Sequence, residues 1–139
     1  MRYSVTREID AAPQAIWDLL TRASGYPEWN PAVLGIEGQV AEGETLRLTS
    51  IVNPDRRFKL KVSEVEAPRH MVWSDGMPLG LFKGTRSFDV VPHGDGKSEF
   101  RMEEVYTGLM APLITRSIPD MTESFELFAD GLKRAAESK

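Results

Sequence analysis

GTRSFDVVPHGDGKSEFRMEEVYTG, residues 84–108, consists of two alternating runs around a turn. Arg86, Phe88 and Val90 share one side of the first run; Phe100, Met102, Glu104 and Tyr106 share one side of the second. Period-two alternation marks a strand with one covered face. The intervening PHGDGK supplies glycine and aspartate for a turn. Matching the apolar faces pairs Phe88 with Met102 and Val90 with Phe100. The same register sets Arg86 opposite Glu104, both inward. Directly opposed residues have Cβ atoms about 4.5–5.5 Å apart, close enough for an ion pair. A charge on a covered face is costly without a partner, so the two are expected to bridge.

The same reading extends outward from this hairpin. Upstream, ETLRLTSIV places Leu46 and Leu48 on one face, and RRFKLKVSEVE places Phe58, Leu60 and Val62 against Lys59, Lys61 and Ser63. HMVWSDG is a short run holding Trp73, and LFKGTRSFDVVP adds Phe82 to the face of Arg86. At the start, RYSVTREI alternates with Tyr3, Val5 and Ile9 on one side, and Arg7 falls on that apolar side too. PQAIWDLLTRA spaces Ile16, Trp17, Leu19 and Leu20 as a helix, with Pro13 in its first turn, Asp10 offering acceptor oxygens near its start and Gly25 able to end it. YPEWNPAV, residues 26–33, holds two prolines and reads as an irregular bridge that carries Trp29. From Met110 onward, Ile114, Ile118, Met121, Phe125, Phe128, Leu132 and Ala135 form one apolar stripe at helical spacing. Pro119 should kink or briefly break it, with Asp120 capping the part downstream. Strand, helix, antiparallel strands and a long helix make an α+β fold, read as a single domain over residues 1–139.

Composition narrows the function classes. Of 139 residues, 41% are hydrophobic and 27% charged, enough apolar material for a core without staples. The absence of cysteine excludes disulfides and thiolate chemistry. Two histidines far apart in sequence argue against a metal site, and Glu99, Glu103 and Glu123 read as solvated surface. The net charge of −4 disfavours nucleic acid. No apolar run is long enough to span a membrane, and MRYSVTREID lacks the pattern of a signal peptide, so the cytoplasm is the expected compartment. Neither a GxGxxG nor a P-loop pattern occurs, and no cofactor is expected. Oligomeric state is not legible; a homodimer stays open.

Three stretches together resemble a known family. VTREIDAAPQAIWDLLTRASGYPEWNPAV (5–33), VSEVEAPRHMVW (62–73) and the opening hairpin, followed by a long C-terminal helix, are similar to the START-like, or SRPBCC, superfamily. The likeness is greatest to its polyketide cyclase/dehydrase and lipid-transport branch. It covers essentially the whole chain. The resemblance implies a helix-grip fold: a seven-stranded antiparallel sheet around a long C-terminal helix, with two short helices after the first strand. It also implies an elongated, mostly apolar cavity between sheet and helix, with the Trp29 bridge near that cavity.

Alternation names the residues that would line such a cavity, though it leaves open whether they fill a solid core instead. From the strands these are Leu46, Leu48, Phe58, Leu60, Trp73, Phe82, Phe88, Met102 and Tyr106, joined by Val5, Ile9 and Val62. From the C-terminal segment they are Met110, Ile114, Ile118, Met121 and Phe125. Trp29 would be a wall or plug near the entrance. Arg86 and Glu104 either neutralise one another or also orient a ligand hydroxyl, carbonyl or carboxylate, with Arg7 as a third member. General acid/base work by Glu104 would need a raised pKa, which a neighbouring arginine opposes. The expected function is therefore binding or carrying a small apolar ligand such as a lipid, polyketide or aromatic compound. The alternatives are a metal-free cyclase/aromatase or dehydratase-like enzyme using the same cavity, and a co-chaperone-like interaction module.

Overall fold

The opening hairpin has the register its apolar pattern requires. In the computed structural model, which describes residues 2–138, β6 (Phe82–Gly94) and β7 (Lys97–Thr107) are antiparallel. Phe88 faces Met102, Val90 faces Phe100 and Arg86 faces Glu104. The remaining strands are β1 (Arg2–Ile9), β2 (Val33–Glu37), β3 (Thr45–Ser50), β4 (Asn53–Glu66) and β5 (His70–Met77). They complete one seven-stranded antiparallel sheet in the order β1-β7-β6-β5-β4-β3-β2. Sequential strands pair as neighbours from β2 to β7, and β1 joins the far edge beside β7. Helices α1 (Pro13–Thr21) and α2 (Tyr26–Trp29) lie between β1 and β2; α3 (Ala111–Ile114) and α4 (Thr122–Glu137) follow β7. This is the helix-grip arrangement, and α4 packs against β1, β7, α1 and α2.

Phe128 of α4 is the centre of the core. Its ring lies 6.0 Å from Tyr26, 5.7 Å from Trp29, 6.0 Å from Phe88 and 6.3 Å from Phe100. It thus ties the sheet to the α2 turn through aromatic contacts that add to area burial. Ile9, Leu46, Met71 and Leu132 fill the space around these rings.

Local details depart from the sequence pattern in four places. Ala12, not Asp10, occupies the N-cap of α1, and it makes no side-chain cap; the Asp10 backbone N–H instead donates to Glu137 Oε2 at 2.8 Å. Helix α1 stops at Thr21, so Gly25 does not end it but closes a short 3-10 turn, Ala23–Gly25. The YPEW bridge is not irregular: it is one helical turn, with Pro27 in its first positions, where a missing N–H costs nothing. The C-terminal break is wider than a kink. After α3 comes a 3-10 turn, Thr115–Ser117, and α4 begins only at Thr122. Met121, not Asp120, is the N-cap of α4; Asp120 stands one residue before it, and its Oδ1 accepts from the Thr122 N–H at 3.0 Å.

Gly131 lets α4 reach the α2 turn. A Cβ at this position would sit 2.3 Å from the Trp29 carbonyl oxygen and 2.9 Å from Pro31 Cδ. The first of these is backbone and cannot turn aside. Alanine is intrinsically the better helix residue by about 1 kcal/mol, but overpacking at a rigid contact costs about 1–3 kcal/mol. Gly131→Ala should therefore lower the urea midpoint of unfolding without changing the slope. An unchanged or raised midpoint would show that the contact has slack.

Candidate functional site

Register places a polar row across the covered face. Val62, Trp73, Arg86, Glu104 and Tyr3 stand opposite one another in succession from β4 through β5, β6 and β7 to β1. The next inward row holds Asp75 opposite Gly84 and Gly84 opposite Tyr106. Beyond it, Met77 faces Phe82. The β5–β7 end of the sheet thus carries its charges on the concave side.

Arg86 Nε donates to Glu104 Oε1 at 2.8 Å, and both side chains are 14% exposed. The Tyr106 hydroxyl donates to the other carboxylate oxygen, Oε2. The Arg86 guanidinium also lies 4.7 Å over the Phe125 ring, a cation–π contact from α4. Tyr106 stacks on Phe82 at 5.8 Å and meets Tyr3 edge-on at 6.5 Å. Burial first, then the charge of Glu104, raises the Tyr106 pKa, so the phenol keeps its proton and acts as a donor.

Asp75 is the residue that the sequence reading missed. Its Oδ1 lies 2.8 Å from where a Cβ of Gly84 would stand, so the glycine makes room for the carboxyl. Burial, and next the negative charge of Glu104, raise its pKa from the ordinary aspartate value; Arg56 and Arg86 pull the other way. The signal was present, since Asp75 follows Trp73 by two residues and must share its face. Tyr26 was also missed as a core residue. Its ring is fully buried, 6.1 Å from Trp73, and its hydroxyl donates to the Leu20 carbonyl at 2.6 Å.

The structure divides the sequence-named lining residues in two. Leu46, Leu48, Trp73, Phe88, Met102 and Met121 are buried in the core, as are Val5, Ile9, Val62 and Phe125. Trp29, Phe58, Leu60, Phe82, Arg86, Glu104, Tyr106, Ile114 and Ile118 keep partial exposure, and Met110 is exposed. Among the named residues, open surface therefore belongs to this second set. Arg7 is not part of the cluster; it faces Phe100 in register and its Nε donates to Asp130 of α4 at 2.8 Å. At the β5–β7 end of the sheet, Met77 of β5, Leu79 and Leu109 of the adjoining loops and Leu113 of α3 form an exposed apolar rim, the two loops being joined by a bond from Met110 N–H to Leu81 O at 2.7 Å.

Other features lie away from this face. Two depressions open on the surface, one beside Thr21, Ser24 and Gln39, the other on the outer face of the sheet over Thr6, Ser87 and Arg101. At the hairpin end, Glu8, His93 and Glu99 bring ligand-type atoms within 4.8 Å of one another. There His93 Nδ1 already pairs with Glu8 at 3.0 Å and Arg101 Nε donates to Glu99, so these side chains are engaged with one another. Among the described residues no helix is long and apolar enough to cross a membrane.

Known proteins share this architecture. The family described as polyketide cyclase/dehydrase and lipid transport matches residues 1–137. A START superfamily protein from Mycobacterium smegmatis superposes with a TM-score of 0.72 at 19% identity, over 99% of this chain and 97% of that one. A Mesorhizobium loti protein reaches 0.75 at 18% identity, over 100% and 98%. Norcoclaurine synthase from Thalictrum flavum, solved as a point mutant with a transition-state analogue, reaches 0.71 at 17% identity, over 98% and 93%. At these identities the likeness is one of fold. No curated protein matches the sequence.

Two measurements check the electrostatics. Glu104→Ala should destabilise the protein by about 3 kcal/mol, because it leaves Arg86 partly buried without its carboxylate; the double variant Arg86→Met/Glu104→Leu should lose less. A double-variant loss equal to the sum of the Arg86→Met and Glu104→Leu single losses would show that the pair is not coupled. Asp75 binds its proton more tightly folded than unfolded, so its contribution to stability falls as pH rises from 3.8 through the raised value. Asp75→Asn should gain stability relative to the wild type across that window and level off above it. A difference that stays flat with pH would contradict the shift.

Proposed function

The chain belongs to the polyketide cyclase/dehydrase and lipid transport family, and from that premise we propose that it binds a small apolar, ring-containing ligand at the half-buried end of the grip. The observation that carries this reading is the polar row itself. Arg86, Glu104 and Tyr106 are satisfied by one another yet stand on the concave face, among aromatic rings that retain exposure. A purely structural sheet would be expected to fill such positions with apolar side chains. Apolar burial supplies affinity, at about 25 cal/mol per Å², and a few fixed polar groups supply orientation. Phe58, Leu60, Phe82, Ile114 and Ile118 form the walls, Trp29 stands at one side, and the exposed rim of Leu79, Leu109 and Leu113 leads inward. The short α3 and the 3-10 turn after it are the segment whose movement would widen the space.

A second reading, a cyclase/aromatase-type enzyme, is favoured by Asp75. Its carboxyl, which holds a proton more tightly than a free one, lies beside the protonated Tyr106 as a proton-transferring group would, and holding a flexible substrate folded supplies much of such a rate enhancement. The interaction-module reading is favoured by the apolar rim alone.

Native mass spectrometry of the purified protein, together with titration of a neutral apolar dye such as Nile red, tests the binding. A co-purifying small molecule, or dye affinity weakened at least several-fold by Tyr106→Phe or Ile118→Arg, is the expected result. A protein that holds nothing and binds no neutral apolar probe would sink both the carrier and the enzyme readings. Turnover of a polyketone that is lost in Asp75→Asn, with binding kept, would favour the enzyme.

A further inference from the structure

We propose that this site selects a neutral planar ligand bearing a carbonyl oxygen, in preference to the matching carboxylate or ammonium compound. The inference rests on the ligand-binding reading above and goes on to name the chemical class. It comes from a count of donors and acceptors on the concave face.

Donors are in excess. Arg86 makes its hydrogen bond through Nε, and among the described residues its terminal nitrogens make none. Trp73 stands directly opposite Arg86 on β5, is 1% exposed, and its Nε1–H has no partner among the described residues. Buried N–H groups left unpaired are costly, and a ligand oxygen relieves that cost. A carbonyl oxygen has two lone pairs and can accept from two donors at once.

Charge decides which oxygen. Glu104 and Asp75 already place two carboxyl groups around the one arginine of the row, and the charge of Glu104 raises the cost of ionising Asp75. A ligand carboxylate would add a third negative group in a half-buried place. An ammonium ligand fails for the opposite reason. Glu104 has Oε1 engaged by Arg86 and Oε2 by Tyr106, and an ammonium carries no acceptor for the unpaired N–H groups. Shape follows from the rings, because Tyr106 and Phe82 lie nearly parallel, 19° apart, and offer a flat wall.

The test is a matched set on one ring system: 2-acetonaphthone, 2-naphthoate, 2-naphthylmethylamine and 2-ethylnaphthalene, each titrated by calorimetry or ligand-observed NMR against the intact protein. The ketone should bind at least about 10-fold tighter than the other three, a difference of about 1.4 kcal/mol. Trp73→Phe should weaken the ketone several-fold and leave 2-ethylnaphthalene unchanged. Arg86→Lys, which keeps the charge and replaces the Trp73 variant should that one fail to fold, should do the same. Asp75→Asn should strengthen naphthoate several-fold with little change for the ketone. Naphthoate or the amine binding as well as the ketone overturns the selectivity. So does a ketone affinity untouched by Trp73→Phe or Arg86→Lys. If 2-ethylnaphthalene equals the ketone, binding stands and this inference falls; if none of the four binds, the ligand-binding reading falls with it.

Discussion

The carbonyl of Trp29 lies so close to α4 that residue 131 has no room for a side chain. This contact sets how deeply the helix sits in the sheet. One turn earlier, on the same face of α4, Phe128 is brought among Tyr26, Trp29, Phe88 and Phe100. Another turn earlier, Phe125 comes over the Arg86 guanidinium. The YPEW turn, the aromatic core and the polar row are thus arranged along one helix face. A shift of α4 would disturb all three at once, since close-packed interiors do not deform continuously.

The other organising element is the register of the sheet. Because side chains alternate, a slip of one residue would carry Arg86 and Glu104 to the outer face and expose Phe88 and Met102. Apolar pairing and ionic pairing therefore specify the same alignment, and each makes the other less tolerant of change. Gly84 extends this logic. Its missing side chain lets the Asp75 carboxyl lie between strands beside Tyr106, so that a residue with no chemistry of its own positions one that has some.

Much of the fold was legible, for a physical reason that holds at each place. The hairpin register followed from apolar alternation, and it predicted the Arg86–Glu104 bridge that the structure contains. The stripe from Ile114 to Ala135 announced a helix, and Pro119 announced a break, although its width, from Thr115 to Met121, depended on packing. Less was legible in the site. Arg7 shares the apolar side of β1 with Val5, yet register alone did not show that α4 would bring Asp130 to it. Asp75 sat within a short run whose alternation was too brief to weigh. Core and groove wall have the same pattern, so only burial could separate Phe88 from Phe82.

By itself the sequence determined the class of fold, the alignment of β6 with β7, the inward facing of Arg86 and Glu104, and the absence of thiol chemistry, because these follow from local periodicity and residue type. The tertiary structure decided what α4 touches, which inward residues keep open surface, that Asp75 joins Glu104 around Arg86, and that the Trp73 donor goes unpaired among the described residues. These depend on distances between segments far apart in the chain. Such distances are set by close packing at points such as Gly131, which no local pattern records.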